Sequence, residues 1–324
     1  MDDLLICCKY CDKLFSYIIL DNHEIKCKIV STDKSIEPII SIKPIESIKP
    51  IELNNVKNDK KNSKNKINIS DNINVPMHQI QIDALTYSYL KASIFHKSVY
   101  QNTLIRFLEA GYSAQDLSDT IDYVKNVDVI MHFGRCPIKW LETEQTMKNC
   151  FELNHPSVYP ADESNLRVRW ENNLFNKIYK SGIDGKIRVK YGCLNLLEDP
   201  NGCQNAKCYG KSYMIFKPEI KHRTTFVSGD SSYMQTHICT FEHFVQLLLY
   251  LNNNIFKSVV SMAKYKNGCN FPQDICYKYP YVEVHIHGDV VITRDVKHIM
   301  LNHIHDTMEI RQRLDRDQIP YTVF

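Results

Sequence analysis

The sequence predicts an α+β protein: a helical front followed by a mostly antiparallel β domain, with a small cysteine-rich unit ahead of both on a low-complexity linker. Three observations carry that prediction. Residues 78–126 place apolar side chains at three- and four-residue steps, the period of an amphipathic helix. From Arg188 onward, short runs rich in β-branched and aromatic residues follow one another. Near the end, YVEVHIHG (281–288) alternates Val282, Val284 and Ile286 with Glu283, His285 and His287, the period of a strand.

In chain order, HQIQIDALTYSYLKAS and NTLIRFLEAGYSAQDLSDTIDYVKN read as helices, the second broken at Gly111. VDVIMHF (127–133) reads as a strand. IRVKYGCLNLL, KSYMIFKPE, RTTFVSG and YVEVHIHGDVVIT are the later strands, and FEHFVQLLLYLNNNIFKSVVSMAK is a helical stretch before the last of them. A strand ending in Gly288-Asp289 and followed by VVIT reads as central, where Glu283, His285 and His287 would need partners. The competing reading of those three groups is a solvated strand face.

The first 30 residues form a unit of their own. Cys8-x2-Cys11 is followed after eleven residues by His23-x3-Cys27, four soft ligands at the spacing of a tetrahedral zinc site. Phe15 and Leu20 fall where a small finger needs an apolar plug, and Cys7 is a spare thiol. So small a unit needs its Zn2+ to hold a core. Residues 31–75 are the linker. Ser41–Glu46 and Ser47–Glu52 repeat Ser-Ile-Lys-Pro-Ile-Glu, and a lysine-asparagine run follows, a composition that predicts disorder. Residues 76–324 are the main domain.

Composition narrows the classes. A net charge of +3 implies no nucleic-acid partner by itself, and no run reaches the roughly 18 apolar residues of a membrane helix. The 12 cysteines are not spaced as a secreted disulfide framework and no apolar leader opens the chain, so an intracellular protein, cytoplasmic or nuclear, is expected.

The blocks His132-Phe133, RWENNLF (169–175), YGCLNL (191–196), GKSYMIFKPEI (210–220), RTTFVSGDS (223–231) and YVEVHIHG (281–288) resemble, in content and order, those of domain-of-unknown-function family 3626. The resemblance spans about residues 77–324. Val189 stands where that family usually has proline, and His285 where it usually has glutamine.

A looser similarity joins Arg188, the hydroxyls of Thr225 and Ser228, and Glu283, on three separate strands, to the ADP-ribosyltransferase superfamily. It implies NAD as the bound nucleotide, with Arg188 on its phosphates and Tyr191, Gly192 and His132 completing the binding group. Glu283 would accept a hydrogen bond from a ribose hydroxyl and stabilise an oxocarbenium-like centre, with Thr225 and Ser228 beside it. The residues after Glu283 also look like the final strand-turn-helix of such enzymes.

Two other classes stay open. A metal-dependent hydrolase would use His285 and His287, with His132, Glu283 or Asp230 as third ligand. A non-enzymatic adaptor would use the finger to reach a macromolecular partner, protein or nucleic acid; one finger reads only about 3 bp. Single residues carry plainer expectations too. Asp230 reads as a turn cap, Asn195 as a buried hydrogen-bonding group, and Arg169 with Glu171 as an ion pair around Trp170.

Overall fold

A computed structural model describes residues 75–134, 145–153, 155, 162–233, 237–265 and 282–324, with the short strands β1 (Leu5–Cys7) and β2 (Leu14–Ser16). The chain divides into two units, residues 1–66 and 67–324. In the first, β1 pairs antiparallel with β2, Cys7 opposite Leu14. Cys8, Cys11, His23 and Cys27, and all of the linker but its last residue, lie outside the described residues.

In the second unit, local chemistry sets the helix ends. His78 opens α1 (Gln79–Ile94): its Nδ1 accepts the Ile80 N–H at 3.2 Å, and the Gln81 side chain accepts the His78 N–H at 2.9 Å. After α2 (His96–Glu109), Gly111 at φ +83° turns the chain. Ser113 and Asp116 then cap α3 (Ala114–Asn126) reciprocally. The break expected at Gly111 is therefore present. Lys221 Nζ donates to the Lys125 carbonyl in the last turn of α3. Later come α4 (Leu166–Leu174), α5 (Val245–Tyr250), α6 (Asn253–Tyr265), the single turn α7 (Ile292–Asp295) and α8 (Met308–Arg316).

Eight strands form one sheet: β3 (Val129–Phe133), β4 (Lys190–Leu194), β5 (Ser212–Phe216), β6 (Thr224–Ser228), β7 (Cys239–Thr240), β8 (Val282–Ile286), β9 (Val296–Leu301) and β10 (Tyr321–Val323), in the order β10-β9-β5-β3-β4-β8-β6-β7. Every pairing is antiparallel except β9 with β10. The α+β expectation holds in that form. The sequence order of helices is not their order in space. One sheet face, through Val282, Val284, Ile286, Phe226 and Met214, packs on Phe107, Leu117, Val259 and Ile310 from helices at both ends of the chain. The other face, through Val189 and Val227, packs on Ala84, Leu174, Phe175 and Tyr179. Among the described residues no helix is long and apolar enough to cross a membrane.

Two expectations near the C-terminus need correction. VVIT does not continue the strand, and the residues after it are not a final helix. Asp295 accepts the Val291 N–H at 2.8 Å and closes α7, and the chain then runs back as β9. Gly288, at φ +80°, makes the turn out of β8.

Candidate active site

All five residues of β8 are buried, so the solvated-face reading of Glu283 and His285 is excluded. Register explains how polar side chains come to lie there. Glu283 stands opposite Cys193 on β4 and Val227 on β6; His285 stands opposite Tyr191 and Thr225. Directly opposed residues share a face. A row of polar groups therefore crosses three adjacent strands on the face that α1 and the end of α4 cover.

Glu283 and His285, two residues apart on one strand face, meet: Glu283 Oε1 lies 2.7 Å from His285 Nε2. Glu283 Oε2 accepts the Ser231 N–H at 3.4 Å. His285 Nδ1 is 3.2 Å from Thr225 Oγ1, which is 3.3 Å from His287 Nε2. His287 Nδ1 is 2.8 Å from the Tyr179 hydroxyl. The Phe175 ring stands edge-on to both imidazoles, at 5.5 and 5.3 Å between centroids. Burial holds His287 well below the usual imidazole range, with nearby His285 and Arg223 adding to the effect. Burial, and after it the charge of Glu171, raises Tyr179 well above an ordinary phenol.

A second buried pair sits alongside. Arg188 Nη1 donates to Glu171 Oε2 at 2.5 Å and to the Tyr179 carbonyl at 3.1 Å, and Nη2 donates to the Lys180 carbonyl at 2.8 Å. The guanidinium lies over the Phe151 ring. Tyr191 donates to Glu171 Oε1 at 3.1 Å, and its ring meets His285 edge-on. Burial raises the Glu171 pKa while Arg188 opposes it. Glu171 thus partners Arg188, not Arg169 as the sequence led us to expect. At 1 % exposure, with both Nη atoms bonded to protein, Arg188 presents no open fork to a phosphate.

The remaining candidates separate. Thr225 belongs to the cluster but is fully buried between two imidazoles. Ser228, opposite Val282, lies on the other face, where its hydroxyl donates to the Tyr250 carbonyl at 3.0 Å. His132 Nδ1 is bonded to the Gly210 carbonyl at 2.8 Å, and its ring packs on Tyr213; burial lowers it to about 4. Gly192 is small because a Cβ there would stand 2.7 Å from the Ile130 carbonyl oxygen on β3. Asp230 caps its turn through the Ser232 N–H, as expected; Asn195 closes the loop to Asp199 but is only partly buried, not buried as expected. Among the described residues no three His, Cys, Asp or Glu side chains are grouped to hold a metal ion.

The sequence reading missed Tyr209 and Arg167, which lie in the electrostatic surroundings of the cluster. Tyr209 is half-exposed, and Asp230, Arg167 and Glu283 all act on its phenol electrostatically. Arg167, half-buried on α4, lies in the fields of Tyr191, Tyr209 and Glu171 and has no carboxylate in ion-pair range among the described residues. The Ser231 hydroxyl, next to Glu283, is buried without a hydrogen-bond partner among the described residues. Their sequence signal was weak: Arg167 and Tyr209 lie one or two residues outside the blocks that drew attention.

Fold and site together define an α+β domain with a carboxylate–imidazole centre inside a mostly antiparallel sheet. Residues 141–270 match the model of a family described as protein of unknown function (DUF3626), in agreement with the resemblance over that part of the chain. A comparison with curated proteins finds no match.

Proposed function

We propose that the main domain is an NAD-utilising, ADP-ribosyltransferase-like enzyme in which Glu283 is the catalytic carboxylate. The observation that carries the reading is the setting of Glu283. His285 takes one of its oxygens, while among the described residues the other faces only the long contact from the Ser231 N–H, beside a hydroxyl without a partner there. A carboxylate so held accepts a hydrogen bond from a ribose hydroxyl, and its charge opposes the positive charge that develops as the glycosidic bond to nicotinamide lengthens. With Arg188 bonded to Glu171, the phosphate contact passes in this reading to Arg167, whose fork has no carboxylate partner among the described residues.

Glu283→Gln keeps the shape and removes the charge. Nicotinamide release should fall by about a hundredfold or more, the scale on which such electrostatic contacts act. Arg167→Ala should raise KM for NAD and change kcat less. Equal release by wild type and Glu283→Gln would overturn the proposal.

The finger reading continues as a second proposal. Cys8, Cys11, His23 and Cys27 would hold one Zn2+ and present the unit to a macromolecular partner. Support comes from the sequence spacing of the four ligands, with β1 and β2 pairing antiparallel on either side of Cys8-x2-Cys11 in sequence. Metal analysis of the full chain should give one zinc, lost in Cys11→Ser and kept in Cys7→Ser. Less than half an equivalent in the wild type ends this reading.

A further inference from the structure

The hydrogen-bonded series that ends at Glu283 has five members, and its two ends differ in kind. Glu283, as a carboxylate, offers only acceptor oxygens. Tyr179 keeps its proton, because burial makes the phenolate costly. Between them stand two imidazoles, each an N–H donor on one side and a lone-pair acceptor on the other when neutral, and one hydroxyl that can do both.

Only one arrangement satisfies every proton. Tyr179 O–H donates to His287 Nδ1, His287 Nε2–H to Thr225 Oγ1, Thr225 O–H to His285 Nδ1, and His285 Nε2–H to Glu283 Oε1. Four protons make four bonds. In the reverse arrangement the Tyr179 proton has no acceptor among the described residues, and a bare His285 Nε2 faces a carboxylate oxygen across 2.7 Å. The two contacts of Thr225, at 3.2 and 3.3 Å, are longer than those at the ends, so the hydroxyl is the weak link through which the two imidazoles share one orientation.

We propose that Tyr179, His287, Thr225 and His285 form one polarity-locked hydrogen-bond chain that holds both imidazoles in the Nε2–H tautomer and fixes Glu283 as an acceptor. These four are positioning residues for Glu283. Thr225, assigned by sequence beside the reacting atoms, acts instead through His285. The structural half of the proposal stands on the four contacts and on a protonated Tyr179 facing a Glu283 carboxylate. Its catalytic half rests on the transferase reading above.

The test is ring-15N NMR of histidine-labelled full-length protein at neutral pH, with the two resonances assigned through His285→Gln and His287→Gln. Both rings should be Nε2–H tautomers. In Thr225→Val, of nearly the same shape, His287 Nε2–H loses its acceptor while the Tyr179 O–H still fills Nδ1, so the ring should stay Nε2–H with a shifted Nε2 resonance, and adding Tyr179→Phe should release the Nδ1–H form; Thr225→Ser should restore the wild-type spectrum. A wild-type spectrum with either ring Nδ1–H or doubly protonated overturns the chain. So does a folded Thr225→Val in which the His287 Nε2 resonance does not shift, or a folded Thr225→Val/Tyr179→Phe in which the ring stays wholly Nε2–H. Should Thr225→Val not fold, the wild-type and Thr225→Ser spectra decide alone. Nicotinamide release supplies the second readout: kcat should fall in Thr225→Val with KM for NAD unchanged, and return in Thr225→Ser. The expected tautomers without any release would remove the transferase reading and leave the chain, whereas release with the wrong tautomers would do the reverse.

Discussion

Arg188 and Glu171 show how a single buried pair can decide whether the domain folds. Glu171 is fully buried and Arg188 nearly so; each neutralises the other where water cannot. Arg188→Met should therefore cost about 3–5 kcal/mol, because it strands a carboxylate in the interior, and adding Glu171→Gln should recover much of that loss. Urea unfolding of the single and double variants measures this; equal stability of the two would show that Glu171 had found another partner. The pairing was not legible because the two residues are 17 apart, while Arg169 lies two from Glu171 and drew the assignment. His285, expected from sequence as a metal ligand in one reading, meets Glu283 instead. Its Nε2–H donates to Glu283, and a glutamine amide would offer the same kind of donor at a similar reach.

Among the elements, those with a clean period were read correctly. α1, α3 and β8 stand where three- and four-residue steps or strict alternation placed them, and β6 where its β-branched and aromatic composition did. The same period could also have separated Thr225 from Ser228, since an offset of three along a strand puts two side chains on opposite faces. Grouping them as neighbouring hydroxyls ignored that. VVIT was misread because β-branched composition says strand, while the outcome was set by Asp295, which takes the Val291 N–H and pairs with Arg223 from the end of a 310 turn far back in the chain. No window of sequence contains both. Strand β10, three residues long at a sheet edge, has too little pattern to stand out.

For the whole molecule, the buried imidazoles set the response to acid. Burial lowers His132 and His237 to about 4, and His287 lies well below its usual range for the same reason first. Unfolded, each would take up a proton near pH 6.5. Between those limits the unfolded chain binds more protons than the folded one, so stability should fall as pH drops from about 6.5 towards 4. Each such group contributes at most roughly 1.4 kcal/mol per pH unit across that window. Glu171, raised by burial, works in the opposite direction over part of it. Urea midpoints between pH 7 and 4.5 should decline, and the slope should lessen in His132→Gln. A flat profile would mean that these rings are charged in the folded state.

The position of β8 also bears on the order in which the molecule can be made. Its partners β4 and β6 end at residues 194 and 228, yet the strand that joins them begins at residue 282. Until the ribosome has passed that point, each of those two strands has an open edge where β8 belongs, and the row of groups around Glu283 has no middle. Such distant pairing is slow to form and leaves strand edges free to meet other chains. The centre of this sheet is thus completed only after most of its surroundings have been synthesised, and a nascent chain stalled short of residue 282 carries two unjoined halves rather than a smaller version of the domain.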